Sequence, residues 1–252
     1  MIRLSLSMSL FLRSFLVQGS WNYRTLMGTG IAWALSPVHE NAPGDPSEVS
    51  TNVPMDEPFN THPYLACIAL GAFAHPANPH GAGLTPDESR RFWGALGSPL
   101  GSLGDRLVWG AWRPLCIVLA MFVAALGAQP AIVVALFLMS YNLLHLWLRG
   151  WGLVAGLRCG FGVSSEVERV RLGQKSERAR SAGLLIIGGL LGLLAQRTVA
   201  LPGAGLPWTG AAAALLLAGA ISGQMLRRWT PAVLVCLITL VLLAAPILVG
   251  SN

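Results

Sequence analysis

Hydrophobic residues run along this chain in long blocks separated by short polar stretches. The first block, residues 10–37, reads as one helix stopped at Pro37. Within it Gln18, Asn22, Thr25, Thr29 and Ser36 follow one another at intervals of 4, 3, 4 and 7, which keeps them on one helical face. A narrow uncharged polar stripe on an apolar helix can hydrogen-bond a polyhydroxyl ligand or a neighbouring helix, and in membrane helices the second use is the usual one. Ahead of the stripe, "MIRLSLSMSLFLRSF" has the basic residue and short apolar stretch of a secretory leader. Arg13 interrupts it, however, and no small-residue cleavage site follows. Region 1–37 is therefore expected to be retained, with its start lying as an amphipathic helix at a membrane surface.

Residues 38–58 are acidic and rich in proline, the pattern of a solvated loop. From 59 to 148 the pattern changes. "FNTHPYLACIALGAFA" sets Asn60, Thr61 and His62 before Pro63 and an apolar helix, so Asn60 or Thr61 is placed to cap it. A second polar loop, 75–91, follows; His75 and His80 lie there without a third ligand at metal-site spacing. Next comes "GSPLGSLGDRLVWGAWRPL", residues 97–115, which mixes charges and tryptophans with glycines and prolines. The large apolar run 115–148 is interrupted at "GAQP", 127–130. Each half falls short of the ~20 residues a spanning helix needs, so the pattern predicts a hairpin of two short, tilted or re-entrant helices. On its second arm Asn142, His145 and Arg149 recur at i, i+3 and i+7. An ionisable His145 at membrane depth needs a partner and is a functional candidate on that ground.

The stretch 149–181 turns basic: Arg149, Arg158, Arg169, Arg171, Lys175, Arg178 and Arg180 stand against Glu166, Glu168 and Glu177. Read as a loop, it belongs on the cytoplasmic side. Region 182–252 adds three apolar segments, at about 182–200, 209–226 and 231–249, with Arg227 and Arg228 between the last two. The alternation places the C-terminus on the outer, periplasmic side.

Composition agrees with this layout. Hydrophobic residues make up 54% of the 252 and charged residues only 11%, against about a quarter charged in soluble domains. The expected class is therefore all-α, a polytopic membrane protein with broken or re-entrant helices. The net charge of +6 follows from the loop asymmetry, and no basic patch with interleaved stacking aromatics suggests nucleic acid. Cys67, Cys116, Cys159 and Cys236 are far apart and read as small buried hydrophobes. No phosphate loop, nucleophile elbow or zinc-helix motif is present, and the glycines of 97–105 lack the βαβ frame of a dinucleotide site. No catalytic residue, cofactor or metal site is expected on this chain.

Four ordered blocks then become specific: "RSFLVQGSWNYRTLMGTGIAWALSP" (13–37), "FNTHPYLA" (59–66), "GSPLGSLGDRLVWGAWRP" (97–114) and "YNLLHLWLRGWGLVAGLRCG" (141–160). Together they resemble the IID membrane subunit of the mannose/fructose/sorbose family of the phosphoenolpyruvate-dependent sugar phosphotransferase system. The resemblance implies pairing with a IIC subunit in the bacterial inner membrane and assembly as a trimer of IIC–IID pairs. It also implies translocation of a sugar that a cytoplasmic IIB phosphorylates, with phosphate arriving through IIA. The phosphorylated residues belong to those partners. Two features depart from the family: Arg106 stands where a proline usually follows Gly-Asp, and the acidic loop 38–58 replaces a longer basic helix.

On this reading the glycines of 97–104 form a helix break in a transport core. The sugar contacts are expected from Asn60, Thr61 and His62 on one element and from Asp105, Trp109 and Arg113, four apart, on another. Asp105 and Arg113 can instead be structural, since Asp105 near a helix N-terminus meets the dipole favourably. The polar stripe Gln18, Asn22, Thr25, Asn142 and His145 is a secondary candidate. A non-transporting regulatory or structural subunit is the alternative, and a membrane-embedded enzyme would have only His145 with a distant carboxylate to work with.

Overall fold

Eight α-helices carry most of the residues described by the computed structural model, which are 4–40, 53–54, 56–75 and 85–199. They are α1 (Leu4–Arg13), α2 (Gly28–Glu40), α3 (Ala66–Phe73), α4 (Pro86–Gly104), α5 (Arg113–Ala125), α6 (Pro130–Cys159), α7 (Val163–Val170) and α8 (Leu172–Val199). Among the described residues there is no sheet, only isolated bridges from Leu26 to Asn22 and to Phe59. The chain divides into two compact units, Met1–Gly183 and Leu184–Asn252. The segments expected at 209–226 and 231–249, and with them the side on which the C-terminus lies, fall outside the described residues, as does most of the acidic loop.

The single helix expected over 10–37 is two helices. A 3-10 turn at Ser14–Leu16 ends α1, and a non-helical stretch runs to α2, with Pro37 inside α2 rather than ending it. The cause is local competition for the backbone. The Asn22 side-chain oxygen accepts from the backbone N–H groups of Arg24 and Thr25, both at 2.9 Å, and its amide donates to Thr25 Oγ1 at 2.7 Å. Leu26 closes the turn with a φ of 55°.

Every residue of α3 is buried, and it packs mainly on α6. Glycines set that contact: a Cβ on Gly71 would collide with the Leu153 carbonyl, and one on Gly156 with the Ile68 carbonyl. Small residues that let backbones touch are how apolar helices associate where water gives no hydrophobic drive.

The expected break at 97–104 is absent. α4, a π-helical segment Asp105–Trp112 and α5 form one continuous helical rod over Pro86–Ala125. Thr85 and Glu88 start it with a reciprocal capping box, so helix also replaces the end of the 75–91 loop. The rod widens into i→i+5 bonding instead of breaking. The turn at 127–130 is real: Gly127 has a φ of +91° and Pro130 opens α6. The two arms are longer than expected, because flanking polar residues also propagate helix. α6 has 30 residues, about 45 Å at 1.5 Å per residue.

The basic stretch 149–181 is not a loop either. It is the end of α6, a 3-10 turn at Gly160–Gly162, α7 and the start of α8. Arg, Lys and Glu are good helix formers, and Arg169 clasps Glu166 one turn away through two bonds of 2.7 Å. Two described helical stretches, Pro86–Ala125 and Pro130–Leu194, are long and apolar enough to cross a membrane. Their surfaces expose Ile117, Met121, Ile132, Leu138, Met139 and Leu143.

Candidate functional site

Residues 59–62 run outside any helix before a turn at 63–65 leads into α3, and their neighbours hold them so. Phe59 donates to the Thr25 carbonyl and accepts from Met27 N–H, both at 3.1 Å, while its ring lies 4.3 Å from that of Trp93. The turn made by Asn22 and Thr25 therefore presents the edge on which the segment pairs. On its other side the segment runs across the glycine face of α4. The nearest neighbours of Gly97 and Gly101 include the Asn60 carbonyl, and Gly104 faces the His62 ring so closely that a Cβ there would overlap its Cβ and Cγ. The glycines of "GSPLGSLGD" are the bed of "FNTH".

The bed buries polar side chains. Thr61 is 4% and His62 1% exposed, and neither Thr61 Oγ1 nor His62 Nε2 has a hydrogen-bond partner among the described residues. Trp93 Nε1, beside Phe59, is likewise without one; buried polar atoms are nearly always paired, so the adjacent pair on Thr61 and His62 is a candidate for bonding something else. His62 Nδ1 accepts from Tyr64 N–H at 3.2 Å, and its carbonyl accepts from Leu65 and Ala66 at the start of α3. No side chain caps α3, the role expected of Asn60 or Thr61; the His62 backbone carbonyl takes its first N–H groups instead, and Asn60 is exposed.

From His62 the site opens outward. Its ring centroid is 5.5 Å from that of Trp109 in the π segment, and the Arg113 guanidinium lies 4.6 Å over the Trp109 ring. Trp109 is 40% exposed and Arg113 is exposed. Asp105 is also exposed and makes no ion pair among the described residues. Asn60, Thr61 and His62 thus lie on one element, and Asp105, Trp109 and Arg113 on the rod it crosses, with Trp109 in contact with His62 and Asp105 one residue after Gly104. The arrangement offers neutral polar atoms, an aromatic face and a cation, suited to binding a polar uncharged molecule. Among the described residues there is no group of three side chains that could hold a metal.

Inward, a second cluster backs the first. Tyr64 stacks on His145 at 3.9 Å and shares a 2.7 Å bond with the Tyr141 hydroxyl. Arg149, 3% exposed, donates from Nε to His145 Nε2 at 2.7 Å and from a terminal nitrogen to Ser14 Oγ at 3.0 Å and to the Ser14 carbonyl. Its guanidinium also lies 4.5 Å over Phe15. A buried charge requires such partners, and here they tie the end of α1 to α6.

The comparisons with known proteins match this layout. The family described as "PTS system mannose/fructose/sorbose family IID component" matches residues 3–245. The chain belongs to that family. It is 30% identical over 191 residues to the sorbose-specific EIID component of Klebsiella pneumoniae, covering 73% of this chain and 67% of that protein. It is 28% identical over 188 residues to the mannose-specific EIID component of Escherichia coli K12, covering 72% and 65%. The chain thus spans about two thirds of the length of the relatives it matches. A solved chain from the mannose transporter ManYZ in complex with microcin E492 shares the fold at a TM-score of 0.55, with 23% identity and 99% and 98% coverage.

As an IID component, then, this is an all-helical membrane protein whose described polar stripe is largely structural. Gln18 is exposed. Asn22 and Thr25 make the turn, and Thr25 passes a 2.8 Å bond to Thr29. Asn142, exposed, donates to the Leu138 carbonyl of its own helix, whereas His145 accepts from Arg149. Of the cysteines, Cys67 and Cys116 are buried as expected, whereas Cys159 is exposed. Sequence reasoning missed Tyr64 and Ser14. Tyr64, two residues after His62, was hidden inside an apolar run; Ser14 had no signal at all.

Proposed function

We propose that this IID chain pairs with a IIC subunit and, with it, binds and translocates a hexose that a partner IIB protein phosphorylates. The observation that carries this reading is the pair of buried orphan atoms, Thr61 Oγ1 and His62 Nε2, next to the exposed ring of Trp109 and the guanidinium of Arg113. Sugar hydroxyls would satisfy the first, and the apolar face of a pyranose would rest on the second. Asn60 and Asp105 flank the same opening and complete the proposed contact set. The chain's own residues bind and orient; phosphoryl chemistry belongs to the IIA and IIB partners.

Assembly as a trimer of IIC–IID pairs in the bacterial inner membrane, with the basic helices of 149–181 on the cytoplasmic side and the C-terminus outside, completes the proposal. Relatives named for the sugars they are specific to favour transport over a purely regulatory subunit. The test uses inverted vesicles containing the whole phosphotransferase set. His62→Ala should lower sugar-dependent phosphotransfer at least 100-fold while IIC still co-purifies with the chain. Phosphotransfer within twofold of the parent would overturn the site.

A further inference from the structure

We propose that a groove between the π segment, α5, α6 and the start of α8 is a binding site for one anionic phospholipid. Its acyl chain would lie along the apolar floor and its phosphate against Lys175 and Arg178. The groove encloses about 390 Å3, with Leu107, Leu115, Leu144 and Trp147 forming the floor and Lys175 and Arg178 at the edge. That volume lies within the range of sites for small organic ligands, about 300–1,000 Å3.

The chemistry of the lining selects the occupant. The floor is almost wholly apolar, so a sugar or a free phosphate would find nothing there to bond. The edge is cationic, and neither Lys175 nor Arg178 has a carboxylate within ion-pair distance among the described residues. Lys175 Nζ instead sits 5.0 Å over the Trp147 ring, a contact that leaves its charge available. More positive charge lies close by. Ser176 Oγ donates to the Arg106 carbonyl at 2.9 Å, which brings the exposed Arg106 beside α8, and Arg180, one turn further, is only loosely paired with Glu177 at 3.5 Å.

A zwitterionic lipid would cover the floor but leave the cations without net counter-charge. An anionic lipid serves both ends. Basic pockets between apolar helices on the cytoplasmic side are placed to take such head groups. Arg106, the residue that departs from the family pattern, thereby gains a setting: its backbone is tied to α8 next to Leu107 of the groove floor. The site is separate from His62 and Trp109 and does not depend on sugar transport.

The test is native mass spectrometry of the full chain, purified in detergent with whatever subunits accompany it, titrated with phosphatidylglycerol and separately with phosphatidylcholine. Phosphatidylglycerol should bind with one tight site per chain, and phosphatidylcholine much more weakly. Lys175→Ala with Arg178→Ala should weaken phosphatidylglycerol roughly 30-fold, taking each cation at about 1 kcal/mol. Leu144→Trp, which fills the floor and keeps both cations, should abolish the tight site; if it fails to fold, the double variant decides alone. Equal affinity for the two lipids, or undiminished phosphatidylglycerol binding in the double variant, would overturn the proposal. So would tight binding that survives Leu144→Trp or is displaced by inorganic phosphate, which would mark a bare anion site. A groove that binds no lipid because a protein segment occupies it would overturn the proposal too.

Discussion

Arg113 and Arg149 both lie over aromatic rings, 4.6 Å from Trp109 and 4.5 Å from Phe15. Arg113 is exposed, at the opening above His62, and has water as an alternative partner. Arg149 is 3% exposed, and its partners among the described residues are His145, Ser14, Cys67 and the faces of Phe15 and Tyr64. The same pairing of guanidinium and ring therefore does different work. At the surface it costs little to make or break and can yield to a ligand. In the interior it cannot be given up without leaving a charge or its acceptors alone. Burial, more than residue type, separates the group that can bind from the group that holds.

The sharpest break of this comparison is a substitution that keeps the buried charge but spoils its geometry. Arg149→Lys retains a cation that cannot reach His145 and Ser14 together, since an ammonium lacks the planar fork of a guanidinium. A buried charge that loses a partner typically costs about 3–5 kcal/mol. The melting temperature of the detergent-solubilised chain should fall by roughly 6–12 °C for a loss of about 3 kcal/mol. Arg149→Met loses the same bonds but also removes the desolvated charge, so it should melt above Arg149→Lys. If the lysine variant melts at or above the methionine variant, the charge is not buried as described.

This interior is also where sequence reading met its limit. Helical blocks and the hinge at 127–130 were legible because each depends on local pattern: a run of apolar residues, or Gly127 with Pro130. The membrane class was legible from the scarcity of charge. What the pattern misread depends on long-range contact. The glycines at 97, 101 and 104 look like a helix break until the segment 59–62 is laid on them; a Cβ would crowd it at 97 and 101 and overlap His62 at 104. Asn22 and Thr25 fit a helical stripe as well as they fit a turn, and the bond to Phe59 decides between the two. The basic stretch 149–181 reads as a loop where charge marks solvent, whereas here the charge marks an exposed helical face.

The second prediction follows from that glycine bed, which positions His62 below Arg113. Gly104→Ala improves helix propensity by about 1 kcal/mol, yet its new Cβ must displace the His62 ring. Because the overlap is with the root of the His62 side chain, the overpacking cost lies at or above the top of the usual range of about 1–3 kcal/mol, so net stability should fall by about 2 kcal/mol, or roughly 4–8 °C in melting temperature. Phosphotransfer should suffer far more than stability, because the displaced ring carries the orphan Nε2. Gly94→Ala is the control: nothing lies within 4 Å of a Cβ there, and it should melt at or above the parent. A Gly104→Ala variant with normal phosphotransfer would show that His62 need not stand where the bed holds it.

The smallest expected effect on stability completes the comparison. Arg113→Gln removes an exposed cation–ring contact worth about 0.5–1 kcal/mol at most, and no described ion pair is lost with it. Its melting temperature should stay within roughly 3 °C of the parent, while sugar-dependent phosphotransfer should drop at least tenfold if the guanidinium meets the sugar at the opening. Because the fold barely changes, the loss can be assigned to binding, and the Michaelis constant for sugar should carry most of it. A variant that melts normally and transfers phosphate normally would return Arg113 to the ordinary surface, leaving Trp109 and the buried orphans at Thr61 and His62 to make the site without a cation.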